Sequence, residues 1–299
     1  MRSIKVAFIN NVLVCGPSGF LGGGYCRSLI HDSSYSRFID IPVYELNSLS
    51  IDSFRDLCDL HKTVNVIYAI GHSVVGINSS SYIDQDLASL STVVQYIGQI
   101  SQLLSIILLS SALANFGDLN YYPLSHCGDA FPELSSYIIL KLEVESQFKS
   151  ISHCCNLFIL RLSNVFGCGD KLLSRLVPSI IYSASSNELI RIKSSPESTV
   201  NLISSTWLYS VITSIFISPD EYVYNNCSYY YCGSSDPITV GRICDIIMSV
   251  FPESNSLTEF GFSVPLSIPP SIHCLPILQP VNLVYQDLKS VALMPNFLN

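Results

Sequence analysis

The sequence predicts an α/β chain on a doubly wound parallel sheet with a smaller C-terminal lobe, and three observations predict it. Short apolar runs alternate with helix-like stretches through the first 165 residues. A glycine-rich turn directly follows the first such run and opens a helix. After Gly167 the alternation loosens, and Pro, Ser and Tyr become frequent.

Taken in order, Asn11 to Cys15 (N-V-L-V-C) is a β-branched run that ends at Gly16 and reads as a strand. Gly19 to Ile30 follows as a helix. Ile39 to Leu46 is a second strand, which Pro42 makes an edge or irregular one. Ile51 to His61 is helical and Val64 to Ile70 is a third strand. Tyr82 to Leu104 has helical spacing, and Ile106 to Leu109 is a fourth strand. Ser136 to Ser150 is a helix, Leu157 to Leu162 a further strand, and Tyr229 to Tyr231 one more. Leu202 to Ile217 is apolar but carries Ser204, Ser205, Thr206, Ser210, Thr213 and Ser214, so it reads as a buried helix rather than a membrane span.

Composition narrows the function classes. Hydrophobic residues make up 48% of the 299-residue chain and charged residues 13%, enough apolar material for a sizeable core. The net charge is −8 and no long basic run occurs, which argues against a nucleic-acid partner. The 11 Cys include no C-x-x-C pair and no His/Cys cluster with metal spacing, so reduced buried thiols and no metal are expected. The N-terminus shows no apolar stretch ending in a small-residue cleavage site, and a cytoplasmic protein is expected.

Gly16-Pro17-Ser18-Gly19-Phe20-Leu21-Gly22 has the form G-x-x-G-x-x-G between a strand and a helix, the context a dinucleotide fingerprint requires. Gly16 allows the tight turn, Gly19 lets backbone approach a pyrophosphate, and Gly22 permits close helix–strand packing. The helix start adds unpaired N–H groups and a partial positive charge. This gives a Rossmann-like, dinucleotide-binding core over residues 1–165. Residues 166–299 form mostly a substrate-binding lobe, with part returning to the core sheet. For the adenosine ribose, Glu45 and Asp40 are acidic candidates that would favour NAD, while Arg37 would suit the 2′-phosphate of NADP, so both cofactors stay open.

Tyr137 and Lys141 stand four residues apart, on one face of a helix. A free phenol ionises only near pH of about 10, and a neighbouring ammonium favours the ionised form. A pair like this can take a proton from a hydroxyl as hydride leaves, or return one to a carbonyl. Lys141 can also bond a nicotinamide ribose. Ser110 and Ser111 end the fourth strand, where such sheets bind ligands, and Ser111 is the expected catalytic hydroxyl.

These residues resemble the NAD-dependent epimerase/dehydratase family of extended short-chain dehydrogenases, which act on nucleotide-activated sugars. The likeness runs from about Val12 to about Pro295. It includes Gly16 to Gly22, Val66 to Gly71, Ser110-Ser111 with Phe116-Gly117, Tyr137 to Glu145, Arg161 to Asp170, and Leu288-Lys289 to Pro295. The resemblance implies that Ser18, Phe20, Leu21, Ala69 and Gly71 join the three glycines, Tyr137 and Lys141 in holding the cofactor. It implies a nucleotide-sugar substrate contacted by Asn164 and by Val177 within Leu176-Val177-Pro178, and a homodimer paired through helices that flank the sheet.

Three positions depart from the family pattern. Five residues before Gly117 stands Ala112, where the family has a hydroxyl. No acidic pair follows the fourth strand, which argues against dehydration. Near residue 206, Ser-Thr-Trp replaces the family's Asp. The compact stretch Tyr44 to Leu49 resembles that of the family's 4-ketoreductases. The expected function is therefore NAD(P)-dependent reduction of the C4 keto group of a nucleoside-diphosphate 4-keto-6-deoxysugar. A 4-epimerase with tightly held NAD and a non-catalytic nucleotide-binding relative are the alternatives.

Overall fold

A computed structural model describes residues 4–9, 11–32, 43–70, 80–115, 132–263 and 274–294. Its central feature is an eight-stranded sheet in the order β14-β11-β6-β5-β4-β2-β1-β3. The strands are β1 (Lys5–Ile9), β2 (Val12–Cys15), β3 (Val43–Glu45), β4 (Asn65–Tyr68), β5 (Ser105–Ser111), β6 (Asn156–Leu162), β11 (Cys227–Ser234) and β14 (Leu275–Gln279). The described helices of this part are α1 (Phe20–Asp32), α2 (Ile51–Leu60), α3 (Ser80–Ile97) and α4 (Pro132–Lys149). Strands β2, β4 and β5 run parallel in register, with Cys15 beside Tyr68 and Tyr68 beside Leu108. The doubly wound α/β expectation holds for this sheet.

One side of β2 departs from it. The sequence reading starts the sheet at Asn11, but β1 precedes it and pairs antiparallel with β2, Ile9 opposite Val12 with Asn10 and Asn11 between them in sequence. Strand β3 then pairs antiparallel with β1, not with β2. The apolar run Lys5 to Ile9 and the run Val12 to Cys15 are separated by two asparagines, a composition suited to a hairpin. Other boundaries also move. The described part of the second strand is β3, which gives way to a 3-10 turn at Leu46–Ser48, while residues 39–42 of it lie outside the described residues; α3 ends before Gly98, and Leu202 to Ile217 divides into β10 (Leu202–Ser204) and α6 (Ser205–Ile217).

The chain forms two compact units: Met1–Arg161 with Tyr209–Tyr231 and Pro269–Leu275, and Leu162–Leu208 with Cys232–Ile268 and Pro276–Asn299. In the first, one sheet face carries Val6, Phe8, Leu13, Cys15, Val66, Tyr68, Ile106 and Leu108 against Phe54 of α2, Leu90 and Val93 of α3, and Leu140, Val144 and Phe148 of α4. Each such side chain, once fully buried, contributes about 1.5–3 kcal/mol. The second unit holds β7 (Asn164–Phe166) parallel to β10, β9 (Thr199–Val200) antiparallel to β12 (Ile238–Thr239), and β8 (Ile190–Ser194) parallel to β13 (Thr258–Ser263). Its core joins α5 (Leu176–Ser186), α7 (Val240–Met248) and α8 (Val281–Ala292) through Val177, Ile180, Ile243, Ile247, Val284 and Leu288.

No described helix is long and apolar enough to cross a membrane. Among the described residues no group of His, Cys, Asp and Glu has the geometry of a metal site.

Candidate active site

From β2 the chain moves to β3 on one side and then to β4 on the other. A reversal of this kind opens a crevice at the carboxyl ends of the strands, and the glycine turn stands there. Gly16 adopts φ +90°, and a Cβ on it would lie 3.0 Å from the carbonyl oxygen of Ala69. On Gly22 a Cβ would collide with the carbonyl oxygen of Gly16 and reach 3.3 Å from the Ala69 side chain. The amide of Ala69 donates to Cys15 O at 3.0 Å, and that of Gly19 to Gly16 O at 3.1 Å. Gly16, Gly22 and Ala69 are thus brought together.

Gly19 differs. A Cβ there would meet nothing closer than 3.5 Å, an ordinary contact, so the protein's own packing does not demand glycine. Ser18 and Gly19 are exposed, Phe20 and Leu21 are half-buried, and the first turn of α1 carries no acidic residue. An open, backbone-only surface at a helix start fits the phosphates of a dinucleotide. Gly71, Arg37, Asp40, Phe116 and Gly117 lie outside the described residues.

On α4 an apolar column and a polar column run side by side. Leu140, Val144 and Phe148 face the core. Tyr137, Lys141 and Glu145 follow one another at the same four-residue spacing. Tyr137 is half-buried and Lys141 is 8% exposed, with its Nζ 5.5 Å from the centre of the Tyr137 ring.

Glu145 anchors the far end of that column. Its carboxylate accepts from Arg161 Nη2 at 2.7 Å and Nε at 3.1 Å, and from Ser110 Oγ at 2.6 Å. Arg161 also donates to Asn115 Oδ1 at 3.1 Å, and its guanidinium stands 5.1 Å from the centre of the Tyr229 ring. Burial pushes the Tyr229 phenol's pKa up, Cys227 and Glu145 add to the shift, and Arg161 opposes it. This network escaped the sequence reading, although both Glu145 and Arg161 fall in the stretches that carry the family resemblance. The only signal was a carboxylate one turn beyond Lys141 on the same helix face.

The two serines at the end of β5 have different partners. Even-numbered residues of β5, Ile106 and Leu108, share a core with α4, and Ser110 follows them onto that face. Strand alternation puts Ser111 on the other face. There its Oγ accepts from Leu113 N at 3.2 Å and caps a 3-10 turn at Ala112–Ala114. Alternation thus sets Ser111, the expected catalytic hydroxyl, on the face of β5 away from α4. Ser110 is on the α4 face, but its hydroxyl is committed to Glu145.

In the second unit, Asn164 is exposed and donates through Nδ2 to Asn201 O at 3.3 Å. Val177, expected along a substrate cleft, is 2% exposed inside the unit's own core. The spacing Val177, Ile180, Ile181, Ala184 makes it part of the buried stripe of α5. Asp170, buried, accepts from Arg175 Nη1 at 2.8 Å; burial raises its pKa and Arg175 opposes the rise. Where the family has Asp near residue 206, Ser204 caps α6, donating to Asp287 Oδ2 at 2.5 Å while accepting from Trp207 N at 3.1 Å. A carboxylate from α8 thus reaches the place through a serine.

Comparison with known proteins bears on the whole arrangement. Solved structures of similar fold include UDP-N-acetylglucosamine 4-epimerase from Methanobrevibacter ruminantium M1 in complex with UDP-N-acetylmuramic acid, at 18% identity over 95% of this chain and 97% of that one, with a TM-score of 0.65. UDP-glucuronic acid 4-epimerase from Bacillus cereus in complex with NAD matches at 13% identity, 93% and 96% coverage and a TM-score of 0.66. The dTDP-glucose 4,6-dehydratase of Bacillus anthracis str. Ames, in complex with NAD, matches at 11% identity, 95% and 96% coverage and a TM-score of 0.65. No curated protein matches the sequence. At these identities the structural likeness shows the fold alone, but the family model for the NAD dependent epimerase/dehydratase family matches residues 12–203, more than half of the chain, and the chain belongs to that family.

Proposed function

We propose that this protein transfers hydride between a nicotinamide dinucleotide and C4 of a nucleotide sugar. The observation that carries the reading is the Tyr137–Lys141 pair on α4, in the same unit as a glycine turn whose central glycine is left open by its own packing. Gly16, Gly19, Gly22 and the start of α1 would hold the pyrophosphate. The bound nicotinamide supplies the hydride chemistry. Tyr137 donates its phenolic proton to the sugar carbonyl oxygen during reduction, or takes the hydroxyl proton during oxidation. Lys141, its ammonium close to the ring, stabilises the phenolate left behind. Solvent restores the phenol's proton at the end of a reductive turnover.

Net reduction of a 4-keto-6-deoxysugar is the first reading. It rests on the absence of an acidic pair in Ser110-Ser111-Ala112, which argues against dehydration, and on the direct passage of β3 into the turn at Leu46–Ser48. Epimerisation at C4 with retained NAD is the second, and the solved 4-epimerases of the same fold support it at least as well. The absorbance spectrum of the purified protein and a turnover assay separate them. Cofactor-free protein that oxidises added NADH or NADPH in proportion to product is the reductase. Stoichiometric bound NAD, with no net change of absorbance during interconversion of C4 epimers, is the epimerase.

A further inference from the structure

In a doubly wound sheet, the strand beside the glycine strand carries the residue that reads the adenosine ribose: a carboxylate for the 2′-hydroxyl, a cation for a 2′-phosphate. In this chain the neighbour of β2 on that side is β1. Because β1 runs antiparallel, its first residue lies at the carboxyl edge of the sheet. Val6 pairs with Cys15, and the amide of Gly16 donates to Lys5 O at 3.0 Å, so Lys5 is level with the glycine turn. Glu45 of β3 pairs with Lys5 in turn. Along this edge the order is Gly16, Lys5, Glu45. With strands about 4.8 Å apart, Glu45 stands two strands, about 10 Å, from the glycine strand. Among the described residues, Lys5 stands in the place an acid would need.

Two further observations set the local charge. Lys5 and Glu45 are both exposed and share one face as a cross-strand pair. Exposed opposite charges contribute little when they meet, so Lys5 stays available for a charge-assisted bond from its ammonium to a phosphate. Arg27 adds a second cation: its Nη1 lies 3.5 Å from where a Cβ on Gly23 would stand, and Gly23 packs on the Pro17 carbonyl of the turn. We propose that Lys5 reads the 2′ position of the adenosine ribose, and that the site takes the 2′-phosphorylated dinucleotide, NADP(H), in preference to NAD(H). The inference rests on the glycine turn holding a dinucleotide, and it gives this member of a family described by NAD a reason to differ.

Calorimetric titration of the full chain with ADP-ribose and with 2′-phospho-ADP-ribose tests it. The wild type should bind the 2′-phosphorylated ligand at least about 10-fold more tightly, the equivalent of one charge-assisted contact. Lys5→Glu should invert that preference, repelling the 2′-phosphate and offering the 2′-hydroxyl of ADP-ribose a carboxylate, and Lys5→Met should abolish it without inversion. Glu45→Gln should sharpen it by removing a carboxylate that opposes the 2′-phosphate from the neighbouring strand. Equal affinities in the wild type, or a preference that survives in both Lys5 variants, overturns the assignment. A wild type that binds neither ligand overturns the dinucleotide reading itself, and this inference with it.

Discussion

The two ends of α4 do different work with the same four-residue spacing. At Glu145 the helix is tied down: a carboxylate, a guanidinium, a serine and an asparagine satisfy one another in a site where Arg161 and Glu145 are 2% and 4% exposed. At Tyr137, two turns and about 12 Å closer to the helix start, the side chain is half-buried. The buried end gives the helix one position against β5 and β6. The open end presents a phenol and an ammonium whose geometry is inherited from that anchorage. Order and reactivity are separated along one helix, so they should respond to mutation separately.

The largest effect is expected at the anchor. Arg161→Met leaves Glu145 buried without its main partner, which should cost about 3–5 kcal/mol of stability, read as a lower midpoint in urea unfolding. Replacing both, as Arg161→Met with Glu145→Leu, should recover much of that loss, because a buried pair is costly mainly when half of it is removed. If the single variant unfolds like the wild type, the anchor is not what holds α4.

A smaller effect separates two glycines that look equivalent in the sequence. Gly22→Ala drives a Cβ into the Gly16 carbonyl and should lower stability by about 1–3 kcal/mol. Gly19→Val meets no such obstacle, so its unfolding midpoint should stay near wild type while ADP-ribose affinity falls in calorimetry. Unchanged affinity in Gly19→Val would make the turn merely structural.

The smallest effects belong to the serines. Ser110→Ala removes a buried hydrogen bond to a carboxylate and should cost about 1.5–3 kcal/mol at most, with turnover reduced only through the loss of folded protein. Ser111→Ala should change turnover by less than about 10-fold, well below the contribution of a group that moves protons in the transition state. A turnover collapse in Ser111→Ala with stability intact would return the catalytic hydroxyl to that residue.

What the sequence made legible was local. The glycine turn is seven residues long and its context, apolar run before and helix after, is contiguous. The Tyr137–Lys141 pair needs only helical periodicity. The parts that were not legible depend on which distant strand lies alongside. Strand β1 was missed because its apolar run is parted from β2 by just Asn10 and Asn11, and only sheet pairing shows that it displaces β3 from the glycine strand. Glu145 and Arg161 are separated by a helix end and a strand start, and no spacing rule pairs them. The choice between Ser110 and Ser111 turns on which face of β5 lies under α4, a tertiary fact. Val177 was assigned by family likeness to a cleft, although its neighbours at Ile180, Ile181 and Ala184 already mark a buried stripe.

The reading that α4 delivers a proton to a sugar oxygen is tested most directly by Tyr137→Phe. The assay follows the absorbance of NADH and NADPH with a set of 4-keto-6-deoxy nucleotide sugars, and C4 interconversion of plain hexose nucleotides alongside. The account predicts a wild type active in one of the two assays. In it, Tyr137→Phe should be slower by at least about 100-fold, with an unfolding midpoint and ADP-ribose affinity equal to wild type. A wild type inactive in both, or a Tyr137→Phe variant turning over at close to the wild-type rate, would contradict it.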